Sequence, residues 1–197
     1  MRRLLAVLPL ALCVGCFTSG KPQPKCWTLE PTSVPAADLS PEKKSPPAFA
    51  TTRVGTVAVA APFDRTLFVV RRADGSVAFD AYNEFAAAPS ALLRAPVRVQ
   101  LATDGRFGHV VTQSSTASSD ASVEVLVTDL SLDCRESGKR TARAAVSVDV
   151  VRTGRGARMV ALSADGASEA DASSGDFSTA FSKAFNEALA EALKVLR

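Results

Sequence analysis

Histidine, tryptophan and tyrosine each occur once in this chain of 197 residues, and the last 101 positions contain no proline. With His109 as the single histidine, set within a predicted strand, a multi-histidine metal site cannot be built and a His-based triad has no recognisable frame. No G-x-S-x-G occurs. Ser137-Gly138-Lys139 lacks the upstream glycine of a phosphate loop and falls between two predicted antiparallel strands, not before a helix. Cys26 and Cys134, the two cysteines beyond the N-terminal apolar run, have no C-x-x-C spacing, which argues against a redox motif. Acidic pairs such as Asp129 and Asp133 read as solvated strand positions. The sequence therefore points away from an enzyme and names no cofactor, metal or catalytic residue.

Charge of one sign is also scarce. The formal charge of +3 comes mostly from Arg2 and Arg3, and without them 21 basic residues face 20 acidic ones. A near-neutral chain has no electrostatic case for nucleic acid. No apolar run reaches the ~20 residues a membrane helix needs. The longest, Leu4 to Val14, follows Arg2-Arg3 and ends in Leu12-Cys13-Val14-Gly15-Cys16, which is the order of a secretory signal peptide. Cleavage is expected after Gly15, leaving Cys16 as the new N-terminus. A cysteine there is what bacterial lipoprotein processing acylates; an ordinary secreted protein with Cys16 free or bonded is the alternative. Once Cys13 leaves with the signal and Cys16 takes lipid, Cys26 and Cys134 remain. In an oxidising compartment they form a candidate disulfide, or stand as two unrelated thiols.

Seven of the eleven prolines lie between Pro22 and Pro47. Proline removes backbone donors and favours extended chain, so residues 16–52 read as a lipidated N-terminus and semi-rigid tether. Cys26-Trp27-Thr28-Leu29 interrupts it. This island either docks on the domain as an edge strand, the reading favoured by its pattern, or lies at a lipid interface.

The domain is expected over residues 53–197. Val54 to Ala60 reads as a buried strand. Leu67 to Val70 is a central strand, and turn chemistry at Ala73-Asp74-Gly75-Ser76 returns it through Val77 to Phe79. A helix follows, from about Pro89, which suits a first turn, to Ala102, its face marked by Phe85, Leu93, Val97 and Leu101, bent near Pro96 or broken into two pieces. Phe107 to Val111 is a strand, and Thr112 to Asp120 a Ser/Thr loop. A meander comes next. The alternation of Val123, Val125 and Val127 passes to the other parity at Leu130 and Leu132, which predicts a bulge near Thr128-Asp129. Ala142 to Val150 is the clearest half-buried strand, and Met159 to Ser163, after a turn at Gly154-Arg155-Gly156, is the third. Finally Phe177, Phe181, Phe185, Leu189 and Leu193 recur every four residues with an alanine beside each. They predict a long helix, capped by Asp176 or Ser174 and packed on its own sheet, with an oligomer or membrane face as the alternative.

The run Arg53-Val-Gly-Thr-Val-Ala-Val-Ala-Ala-Pro-Phe-Asp-Arg65, with Leu67-Phe-Val-Val-Arg71 after it, resembles the ABC-type transport auxiliary lipoprotein family. Cys26-Trp27-Thr28-Leu29 stands where that family has an aromatic-x-Leu motif after the lipidated cysteine, and Phe79 to Asn83 and Phe85 resemble its short strand and aromatic-led helix. The fold expected is α/β: a single sandwich domain with a mixed β-sheet containing an antiparallel meander, flanked by a central helix (about 85–102) and a C-terminal helix (about 176–196). Residues 1–15 would be the signal peptide. The resemblance implies a non-enzymatic lipoprotein of an MCE-type (mammalian cell entry) lipid transport system. It would be anchored in the outer membrane facing the periplasm and would dock an MCE-domain periplasmic protein, and through it an ABC permease and ATPase. Phe17 rather than Asp after the cut agrees with outer-membrane sorting as known for enteric bacteria. An outer-membrane assembly or secretion lipoprotein and a plain structural envelope lipoprotein are the alternatives, and a homo-oligomer stays open.

Overall fold

The computed structural model describes residues 23–31, 46–154 and 157–196. Cys16, the signal peptide, residues 32–45 and the Arg155-Gly156 turn lie outside these. Eleven elements follow one another: β1 (Lys25–Trp27), β2 (Phe49–Val59), β3 (Leu67–Arg72), β4 (Val77–Phe85), α1 (Pro89–Leu92), α2 (Arg94–Thr103), β5 (Phe107–Val111), β6 (Ala121–Cys134), β7 (Thr141–Gly154), β8 (Ala157–Asp171) and α3 (Phe177–Val195). They form the expected two-layer α/β sandwich, with one eight-stranded mixed sheet covered on one face by α2 and α3.

β6 is the spine. Its whole length pairs antiparallel with β7, which pairs with β8. The other edge is shared: Thr52 to Val59 of β2 run parallel to its first half, and Val69 to Arg72 of β3 run parallel to its last residues. β5 extends the sheet beyond β2, and β4 and β1 extend it beyond β3. The register of β6 against β7 shifts between Val127 and Asp129, as the change of parity predicts. Before the shift Val123, Val125 and Val127 are buried; after it Leu130 and Leu132 are.

The central helix starts at Pro89, where its proline suits a first turn, and not near residue 85. Phe85 closes β4 and is a core residue, so no helix begins there. It is in two pieces that meet at Leu93. Pro96 falls in the first turn of α2, where backbone N–H groups have no helical acceptor, so the ring costs no hydrogen bond. The ladder resumes with Val97 N–H donating to the Leu93 carbonyl. The domain also begins earlier than residue 53. β1 and the first residues of β2 belong to the sheet, so residues 16–52 are not one free tether.

α3 is capped by Asp176, whose carboxylate accepts from Thr179 N–H at 3.1 Å. Its phenylalanines meet an aromatic cluster: Phe181 lies 5.0 Å from Phe68 and 5.2 Å from Phe85, and Phe177 lies 5.6 Å from Phe68. The alanines beside them are buried as well, which makes the buried face broad. β8 is the second departure, because it continues through Ala164 to Asp171, far beyond Ser163. At Gly166 an added Cβ would sit 2.1 Å from the Ala188 carbonyl oxygen and 2.6 Å from the Ala192 nitrogen, so the bare backbone lets α3 lie directly on β8. Thermal unfolding followed by circular dichroism should register both contacts. Phe181→Ala should cost about 3–5 kcal/mol, roughly 6–20 °C of Tm in a chain this long. Gly166→Val should cost about 1–3 kcal/mol by forcing helix and strand apart. An unchanged Tm for Phe181→Ala would make the phenylalanine row a partner surface.

Candidate functional site

The residues just downstream of the proposed anchor form a strap across the edge of the domain. β1 adds three residues in parallel to β4, pairing Lys25 with Asn83 and Trp27 with Phe85. Trp27 is half-buried; its ring stands edge-on to Phe177 at 5.4 Å, and Nε1–H donates to Asn83 Oδ1 at 3.1 Å. Leu29 enters the core. Three hydrogen bonds then tie the strap to α3: Ser178 Oγ–H donates to the Thr28 carbonyl at 2.8 Å, Glu30 N–H donates to Ser182 Oγ at 2.8 Å, and Asn186 Nδ2–H donates to the Glu30 carbonyl at 3.2 Å. Of the two readings of this island, docking as an edge strand is the one observed.

The strap settles the cysteines as well. Both are free thiols. Cys26 lies opposite Glu84 on β4, and Cys134 lies opposite Arg72 at the far end of β3. Three ladder spacings of ~4.8 Å already separate their strands by ~14 Å, before the offset along β3 is added. A disulfide needs Cα atoms within about 7 Å, so the Cys26–Cys134 pairing is not formed. Neither thiol is activated. The Cys26 S–H donates to Glu84 Oε1 at 3.4 Å, and this bond to a carboxylate pushes its pKa up. Burial raises that of Cys134. Both shifts reduce the thiolate fraction that nucleophilic chemistry requires.

The helix-free face of the sheet carries several ion pairs that cross strands. Arg71 reaches Asp129 at 3.0 Å and Ser131 Oγ at 3.0 Å. Arg143 bridges Asp133 at 3.1 Å and Glu169 at 2.9 Å. Asp133 is held far below the usual carboxylate range, first by its hydrogen bonds from Arg135 and then by Arg143. Asp129 and Asp133, which look like solvated acidic positions in sequence, are therefore anchors of ion pairs and cannot serve as an acid–base couple. His109 is exposed on β5, opposite Thr51. Ser137-Gly138-Lys139 forms the β6–β7 hairpin with Gly138 at φ 76°. Among the described residues no group of three His, Cys, Asp or Glu side chains could hold a metal, and no helix is long and apolar enough to cross a membrane.

One feature the motif search passes over is a pair of arginines, Arg94 and Arg98, on the exposed side of α2 beside a cleft of about 390 Å³. Their signal in the sequence is the spacing of four within a predicted helix, which sets both on one face.

No curated protein matches the chain. Among solved structures, it resembles the crystal structure of a Xanthomonas campestris protein of family DUF330, with a TM-score of 0.61 and 15% identity over 87% of this chain and 92% of the other. The crystal structure of an uncharacterised protein matches with a TM-score of 0.52 and 13% identity, over 87% and 99% of the two chains. At such identities the likeness is one of fold. Residues 28–194 match the family described as the ABC-type transport auxiliary lipoprotein component, a span that starts just after β1 and ends in the last turn of α3. With β2 to β8 and nearly all of α3 inside that span, this chain belongs to the ABC-type transport auxiliary lipoprotein family.

Proposed function

We propose that the protein is a non-enzymatic lipoprotein anchored through Cys16 in the outer membrane, where it faces the periplasm and docks an MCE-domain protein that carries lipid from an ABC permease and ATPase. Family membership is the observation that carries this reading. Three further features support it: the signal-like N-terminus ending at Cys16, the absence of a catalytic or metal constellation among the described residues, and a strap that fixes where the anchored chain joins the fold. Only nine residue steps lie between Cys16 and Lys25. Fully extended, they reach at most ~30 Å. The anchor therefore holds the β1–β4 edge close to the lipid, although the Pro-rich composition of residues 16–52 suggests a much longer spacer.

The Cys16→Ser chain should lose its acyl mass and leave the membrane fraction, as read by intact mass spectrometry and fractionation. Cleavage at another site without acylation overturns the anchor. Affinity capture from solubilised envelopes should recover an MCE-domain protein; recovery of a secreted cargo instead would favour the secretion reading, and recovery of neither would favour a structural role. The strap can be tested separately. Leu29→Asp places a charge in the core position that pins it and should lower Tm by several degrees, with earlier protease cleavage near residues 23–31. Unaltered proteolysis would mean that the strap is held without Leu29.

A further inference from the structure

β5 ends opposite Arg53, whereas β2 continues to Val59, so among the described residues no strand lies beside the outer edge of β2 from Val54 onward. The cleft of about 390 Å³ lies at this gap, with Val54 and Gly55 contributed by the strand, Arg94 and Arg98 by α2, and Thr112 and Ser114 by the loop after β5. That volume lies within the ~300–1,000 Å³ usual for small-molecule sites.

Its charge is unbalanced. Arg71, Arg106, Arg135 and Arg143 each meet a carboxylate. Arg94 and Arg98, both exposed, have no hydrogen bond, ion pair or ring contact among the described residues. Like charges four apart on a helix repel each other, so the fold gains nothing from the pair. No acidic side chain lines the cleft. Glu124 packs near Gly55, but from the helix-free face. The opposite wall is held in place by a third arginine, because the Arg53 guanidinium donates to the carbonyls of Thr112, Gln113 and Ser115, at 3.4, 3.2 and 2.6 Å, and to that of Ala117. This occupies the loop's acceptors and brings another positive charge behind it, while the hydroxyls of Thr112 and Ser114 remain paired with each other at 3.3 Å.

A cation pair, hydroxyl donors and an apolar side formed by Val54 and the arginine stems together suit one class of ligand. We infer that this cleft binds the phosphate head of an anionic amphiphile. Arg94 and Arg98 take the phosphate oxygens, and Val54 takes the first carbons of the chain. The site is a property of this domain, independent of which protein it docks, and its failure would leave the anchoring reading untouched.

Isothermal titration of the full chain in phosphatidylcholine vesicles, with dihexanoyl phosphatidic acid below its micelle concentration and protein-free vesicles as blank, tests this. The acid should bind at least tenfold more tightly than inorganic phosphate or dihexanoyl phosphatidylcholine. In the Arg94→Ala/Arg98→Ala chain it should bind at least tenfold more weakly, with Tm unchanged. Equal affinity for inorganic phosphate would make the cleft a plain anion site, and equal affinity for the zwitterionic lipid would mean that the head charge is not read. Undiminished binding by the double variant would place the ligand elsewhere. Each of these results overturns the inference.

Discussion

Strand β6 has fourteen residues, and one of its edges must serve two different strands while the other serves β7 throughout. At ~3.3 Å per residue it spans ~46 Å, more than either β2 or β3 can match. β2 and β3 therefore lie end to end along it, both parallel to it, and the chain between them must loop out and return. The irregularity at Val127–Asp129 falls at this junction. An extra residue there turns the buried parity of β6 from Val127 to Leu130 where its partner changes. Without that residue, the leucines beyond it would point to the charged face. Asp129 and Asp133 would in turn be pressed under the helices, away from Arg71 and Arg143 on the other face.

The helix layer follows from the same arrangement. The face that β6 commits to the core presents valines, leucines and alanines, and β3 and β4 add Phe68 and Phe85. α3 answers with two rows: phenylalanines toward Phe68 and Phe85, and alanines toward β8, where Gly166 removes the last obstacle. A bulky row against an aromatic corner and a small row against a glycine allow one straight helix to lie at two different depths on a twisted sheet.

Much of this was legible in the sequence. The every-fourth-residue phenylalanine row, the parity change in β6, the limits of β5 and the hairpin at Gly75 all depend on local pattern or turn chemistry, and all were found where expected. What sequence alone missed depends on distant neighbours. Ala164 to Asp171 has small and acidic residues of poor strand propensity, and it is a strand because β7 pairs with it and α3 needs its low profile. Phe85 looks like the first turn of a helix but is a strand end whose ring fills the aromatic corner. Cys26 and Cys134, two leftover thiols in sequence, are kept apart by the insertion of β3 and β4 between their strands. Arg94 and Arg98 were visible as residues but not as a site, because nothing in the chain order announces that β2 pairs with β5 and runs on past its end.

Because β1 runs parallel to β4 and Cys16 lies upstream of it, a pull on the proposed anchor would load that short strand along its own axis. In this geometry the hydrogen bonds between the two strands share the force side by side instead of opening one after another. Trp27 against Phe177 and Leu29 in the core act as stops behind them. The contact is only three residues long, so it yields before the sheet does. On yielding it would leave β2 to β8 intact. Under the proposed anchoring, the edge strand would work as a mechanical fuse between membrane and domain.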